Sequence, residues 1–233
     1  MFVWAPVLKS ELSLVHPDGD RLDRSVTRAD PTLRDRSADL GVRPRVDSKW
    51  SGAGVSPFGD DVLHSPTIPI EEVDDAAREV ASYMVEVMAA RHGIGLAANQ
   101  VGLPWRMFVH NMPRVAPQVI INPTLVDVDD HWTYVEGCLS LTIEGTHEIL
   151  RRPKRIVVKA LDISGREVRI AADELLARVF QHEIDHLDGI VYVQRLIGKP
   201  RETVYGLMAE HGVHLTKLPP RPYGATVMGV TQG

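Results

Sequence analysis

Gln181-His182-Glu183-Ile184-Asp185-His186 decides how the rest of this chain is read. Two histidines four residues apart fall on one face of a helix, one turn from each other, so both imidazoles can reach one divalent ion. Glu183 then stands beside that ion, placed to move protons for a bound water. A bare H-E-x-x-H also arises by chance on solvated helices, so the flanking residues carry the decision. The pattern predicts a helix from Asp173 to Asp188, with Asp173 at the N-cap and Gly189 just past the end. On it Leu175, Val179, His182 and His186 share one stripe, and Leu176, Phe180, Glu183 and Leu187 lie next to it. The histidines therefore continue an apolar face, where a dry metal site belongs.

A tetrahedral catalytic site takes three protein ligands and leaves one position open. Three candidates compete for the third place. The first is a downstream acid, Glu202 or Glu210. The second is the ligand that ends H-E-x-x-H-x-x-G-x-x-H, but that position is Tyr192, so the pattern fails there. The third is Cys138, the single cysteine of the chain, in Glu136-Gly137-Cys138-Leu139-Ser140 after the alternating segment His131–Val135. A lone cysteine is ordinarily an inert apolar side chain; the glycine before it and the histidine pair favour ligation. A further glycine-rich stretch, Gly93-Ile94-Gly95-Leu96-Ala97-Ala98-Asn99-Gln100-Val101-Gly102, lacks the Lys-Ser/Thr ending of a phosphate loop. It reads as a loop whose small residues let backbone approach a ligand, with Gln100 supplying an uncharged amide donor.

Taken together, Gly93–Gln100, Glu136–Ser140 and Gln181–Gly189 resemble the three signature motifs of peptide deformylases, G-x-G-x-A-A-x-Q, E-G-C-x-S and Q-H-E-x-D-H-x-x-G, in the same order. The resemblance spans Val55 to His211. It implies that Cys138, His182 and His186 are metal ligands with water in the fourth position, that Glu183 is the general acid/base, and that Gln100 and the Leu139 N–H stabilise the oxyanion of a formamide under attack. It implies ferrous iron as the native metal, with zinc, nickel or cobalt able to substitute. Ile94, Gly95 and Gly137 would pair with an extended N-formylmethionyl peptide, and Ile94, Tyr134, Leu175 and Val179 would line the pocket for its first side chain. Association with the ribosome is a further family-level expectation. One departure stands out: Leu141–His147 is about two residues longer than the family's usual loop, and His147 occupies a position often held by arginine. That loop borders the peptide path beyond the first side chain.

Composition fits this reading. The net charge of −5 gives no general attraction to DNA or anionic membranes, and no apolar run is long enough to span a bilayer. One cysteine rules out an intramolecular disulfide framework and suits a reducing cytoplasm. The N-terminus lacks the basic lead and cleavage site of a signal peptide. Residues 1–54 mix charges with Pro, Ser and Gly without a period and read as a flexible or loosely packed extension, or as a docking arm anchored by Trp4 and Trp50. The catalytic domain is expected over 55–213 and a tail over 214–233.

Helical spacing of Val73, Ala77, Val80, Met84 and Val87 predicts an N-terminal amphipathic helix over Glu71–Arg91. Strands are expected at Arg106–His110, Val119–Val126 and His131–Glu136. Arg155–Asp162 and Arg166–Ala171 read as a hairpin, and Pro200–His211 as a C-terminal helix. The fold class is α+β, and the resemblance adds antiparallel sheets wrapped around a central metal-binding helix. Function divides three ways: a deformylase of new peptides, or of a specialised N-formyl compound, or serving as a resistance copy; an H-E-x-x-H peptide-bond metalloprotease; or a binding module that has lost catalysis. Intact Gln100 and Glu183 argue against the last.

Overall fold

Asp74 sets where the first helix begins. Its carboxylate accepts from the Ala77 N–H at 2.9 Å, so α1 runs Asp75–Ala90, starting four residues later than the apolar spacing alone predicts. The computed structural model describes residues 13–15, 54–113 and 115–213. The expectations for the N-terminal extension, including Trp4 and Trp50, and for the tail over 214–233 lie outside the described residues, Ser13–Val15 and Gly54 excepted.

Among the described residues eight strands follow in chain order: β1 (Ser13–Val15), β2 (Gly95–Ala97), β3 (Met107–His110), β4 (Gln118–Asp129), β5 (Trp132–Glu136), β6 (Glu148–Arg152), β7 (Arg155–Leu161) and β8 (Glu167–Asp173). Helix α2 spans Glu174–Leu187 and α3 spans Gly198–Glu210. Six strands form one antiparallel sheet in the order β1-β8-β7-β4-β3-β2, and β5 and β6 pair as a separate ribbon. The expected hairpin is β7–β8, in register from Leu161↔Glu167 to Arg155↔Asp173. Three strands were not anticipated, among them β1, which pairs with β8 from within the extension expected to be flexible or loosely packed. β2 lies inside the stretch expected to be a loop, and β6 follows the long 141–147 loop.

Every residue of β3 is buried because both faces of the sheet are covered. Met107 and Val109 pack with Val80, Met84 and Met88 of α1. Phe108 points the other way and meets Phe180 of α2 edge-to-face, ring centres 5.1 Å apart. The alternation of a strand thus serves two helical layers at once. The ribbon β5–β6 lies across α2 from the sheet. Beneath it Leu150, Tyr192, Val193, Val204 and Met208 form a third cluster with Cys138.

α2 is the centre of this arrangement, and it is buried nearly all round. All of its residues except Glu174 and His182 are buried, the charged Arg178 and Asp185 included. The chain enters it directly from β8: Glu174 takes a left-handed φ of 44°, and its N–H donates to Lys154 O at 2.8 Å. Asp173 occupies the N-cap position but makes no side-chain capping bond. At the other end Gly189 takes φ +70°, with no room for a Cβ against the backbone of His64 and Ser65.

Candidate metal centre

The end of β5 delivers Cys138 to the middle of α2. Donor atoms of Cys138, His182 and His186 all lie within 4.8 Å of one another. Cys138 Sγ is 3.1 Å from His186 Nε2. Glu202 and Glu210 lie exposed on α3 and outside this group, and Tyr192 offers it no ligand. Of the three candidates for the third position, the fold brings only the thiol to the histidines.

The His182 ring is oriented from behind. His182 Nδ1 meets Glu136 Oε2 at 3.1 Å, which leaves Nε2 for a metal. Glu136 is itself held by two buried guanidinium groups. Arg152 bridges both of its oxygens, Nη2 to Oε2 at 2.9 Å, and Arg178 Nη1 donates to Oε1. Arg178 also donates to Trp132 O at 3.2 Å and lies over the Trp132 ring, 5.1 Å from its centre. Burial works against the charge of Glu136, and Arg152 and His182 more than reverse it, so this carboxyl is held far below its usual range. Arg152 then reaches Asp185 through Nη1 at 2.7 Å, and Arg195 closes the network on the same carboxylate. Sequence reasoning assigned no role to Glu136, Arg152, Arg178, Asp185 or Arg195. The available signal was a charge inside the apolar run Leu175-Leu176-Ala177-Arg178-Val179-Phe180.

Cys138 is buried, which alone would raise its thiol. The His186 and His182 rings outweigh burial and hold it well below the ordinary thiol value. Gln100 sits over this sulfur. Its Oε1 accepts the Ala97 N–H at 2.9 Å, so its amide NH₂ must turn the other way, 3.6 Å from Cys138 Sγ and 3.3 Å from Ser140 Oγ. Asn99, one residue earlier, ties β2's connection to α2 through Nδ2 and His186 O. Leu139 follows Cys138 and packs with the α1 cluster.

Glu183 is buried beside the ligand group, and its Oε2 has no hydrogen-bond partner among the described residues. Burial raises its carboxyl, the two histidines pull it back, and it comes to rest at about 7. Gly95 of β2 lies directly against it: a methyl group there would overlap Glu183 Oε1 and approach Val179 Cγ1 to 3.0 Å. Ile94, Leu175 and Val179 belong to one cluster on this side of α2. Tyr134 lies on β5, half exposed and stacked on Trp132 at 5.1 Å. Gly137 is covered by the ring of His147.

The donor set fits a metal. A cysteine sulfur and two imidazole nitrogens suit a borderline divalent cation, and an unpartnered buried carboxyl oxygen beside them needs a proton or a polar ligand. Such an arrangement defines a metallohydrolase.

Comparison with known proteins narrows the class. The sequence pattern of the polypeptide deformylase family matches residues 53–202. The chain is 43% identical over 141 residues to the peptide deformylase of Neisseria gonorrhoeae, covering 60% of this chain and 83% of that protein. Its fold is similar to the peptide deformylase of Ehrlichia chaffeensis in complex with actinonin, with a TM-score of 0.62, 36% identity, and 67% of this chain and 96% of that one covered. It is likewise similar to the peptide deformylase of Synechococcus elongatus in complex with actinonin, with a TM-score of 0.65, 31% identity, and 84% and 100% covered. The chain belongs to the polypeptide deformylase family, a family of metalloenzymes, and is an enzyme. No helix among the described residues is long and apolar enough to cross a membrane.

Proposed function

We propose that this enzyme removes the N-formyl group from the terminal formylmethionine of newly made peptides, in the cytoplasm, with release of formate. The observation that carries this reading is the convergence of Cys138, His182 and His186 on one point with Glu183 beside it. These three side chains would hold a divalent cation, ferrous iron by family resemblance, with zinc, nickel or cobalt able to replace it. Such a cation polarises a carbonyl and lowers the pKa of water from about 15.7 to about 7.

The chain's own groups do the rest. Among the described residues β2 is the last strand of its sheet, so its outer edge can take an extended peptide as an added strand beside Gly137. Ile94, Tyr134, Leu175 and Val179 would receive the first side chain. The Gln100 Nε2 and Leu139 N–H groups donate to the formyl oxygen as it gains charge; one such donor is typically worth about 3 kcal/mol. Glu183, poised at about 7, takes a proton from the attacking water and passes it to the leaving amine nitrogen, so the C–N bond breaks to an amine and not to its anion.

The test is formate release. Protein purified without oxygen and loaded with ferrous iron should release formate from N-formyl-Met peptides, and Glu183→Ala should abolish turnover while retaining metal. Absence of formate from every formyl peptide, with metal bound, overturns the reading. Cleavage of internal peptide bonds instead would establish the metalloprotease alternative.

A further inference from the structure

A short strap, Val55-Ser56-Pro57-Phe58, ties together two segments of the site that lie far apart in the chain. The Ser56 N–H donates to Gln100 O at 2.6 Å, and the Phe58 N–H donates to Ser140 O at 2.8 Å. The sequence explains the pattern. Residues two apart in an extended stretch present their N–H groups to one edge, about 6.6 Å from each other. Pro57 between them has no N–H to leave unpaired, and it keeps Ser56 out of the helical region. Past the strap, the Asp60 N–H donates to Pro57 O at 3.2 Å and turns the chain away.

Each acceptor belongs to a segment that carries one oxyanion donor. Gln100 supplies Nε2, and Ser140 follows Leu139 in a turn that the Leu141 N–H closes on Cys138 O at 3.1 Å. The two segments also touch directly, through Gln100 Nε2 and Ser140 Oγ at 3.3 Å. That amide is the group the formyl oxygen must engage, whereas the two backbone bonds of the strap are independent of it. The strap is anchored in a different cluster at each end. Val55 packs with the α1 cluster, and Phe58 packs with the cluster around Cys138, where its ring meets His64 edge-on at 5.3 Å. Asn99, beside Gln100, reaches the continuing chain through Nδ2 and Val62 O at 3.4 Å.

We propose that Ser56 and Phe58 are positioning residues for the reaction: they set the spacing of the Gln100 amide and the Leu139 N–H so that both meet one oxyanion. This rests on the deformylase reading above and adds what holds the two donors in register. Ser56 acts through Gln100, and Phe58 acts through the Cys138–Leu141 turn. Peptide binding depends on the β2 edge and the first side-chain pocket, so a loosened strap tells mainly in the transition state, where the oxygen carries charge.

The experiment measures formate release from an N-formyl-Met peptide by the iron-loaded full chain, with metal content and urea midpoint read on the same preparations. Ser56→Pro removes the N–H that Gln100 O accepts, at a residue already extended before a proline. It should lower kcat about tenfold, part of the roughly 100- to 1,000-fold that loss of a whole donor costs. KM should stay within about twofold, with metal per chain unchanged. Gln100→Ala alone should lower kcat about 100-fold. Adding Ser56→Pro to it should cost less than about twofold more, because the donor that Ser56 positions is already gone. Phe58→Ala keeps its N–H but withdraws the anchor, and should lower kcat about fivefold on either background, since it acts on the Leu139 turn. Wild-type kcat in both strap variants, or a Ser56→Pro loss that multiplies in full with that of Gln100→Ala, overturns the proposal. If Ser56→Pro yields no folded protein, Phe58→Ala decides alone: wild-type kcat, or a loss in KM and not in kcat, overturns it. A wild-type chain inactive on formyl peptides overturns the deformylase reading itself, and this one with it.

Discussion

Gly95→Ala offers the sharpest separation of chemistry from folding. Gly95 pairs with His110 in a regular strand register, so alanine meets no backbone obstacle. The added methyl would overlap Glu183 Oε1, lie 2.9 Å from its Cδ and touch Val179 Cγ1 at 3.0 Å. Neighbouring strand and helix backbones are packed, so the mobile partner is the Glu183 carboxyl, which must swing by about 1 Å to restore ordinary contact distances. A misplacement of that size in a proton-transfer group costs on the order of 100-fold in rate, about 2.7 kcal/mol of barrier. We therefore expect kcat/KM for a formyl-Met peptide to fall about 100-fold, with the loss in kcat. Bound metal per chain should stay unchanged, because none of the three ligand side chains is touched. Formate release under steady-state conditions, with metal content measured on the same sample, reads both quantities. Activity within threefold of wild type, in a preparation where Glu183→Ala is inactive, would refute the placement of Glu183 as the proton carrier.

Three further outcomes follow from other parts of the fold. Glu136→Gln leaves Arg152 and Arg178 buried without their shared carboxylate and unseats His182 Nδ1; we expect a loss of about 3–5 kcal/mol in denaturant unfolding and metal affinity weaker by about 10–100-fold in chelator competition. His110 is 1% exposed between Phe108 and Phe180, and burial lowers its ring to about 4. A depressed folded-state value means the unfolded chain binds the proton first, so stability is full above about 6.5 and declines as pH falls towards 4. Urea midpoints should report a loss of about 2 kcal/mol from this one group between about pH 7 and about pH 5, and His110→Leu should flatten that slope. Gly189→Ala forces a side chain into a left-handed position against the His64 and Ser65 backbone; unfolding free energy should drop by about 2 kcal/mol or more, with α2 as the element disturbed.

The local rules of the chain were legible where one residue decides the outcome. Gly189 ends α2 because its left-handed φ excludes other side chains, and the helical and strand periods located α1, β3, β4 and β7 to within a few residues. They failed where tertiary contact sets the answer. β2 looks like a loop because Gly95 and Ala97 have no strand preference; it is a strand because its backbone pairs with β3, and glycine stands at position 95 because Glu183 and Val179 leave no room for a side chain. In β5 the apolar Val135 is half exposed, whereas Glu136, the most polar residue of the strand, is buried against two arginines. Reading that strand by apolar alternation turns it inside out. The same inversion holds on α2, where Arg178 and Asp185 carry charge and are nonetheless buried. Both cases have one physical cause. A metal-binding ring must be oriented by a hydrogen-bond acceptor, the acceptor must stay charged in a dry interior, and only cations buried alongside it can keep it so. A charge set within an apolar stretch, near a ligand motif, is therefore better read as support for the site than as surface, and Arg178 is the residue on which that argument stands or falls.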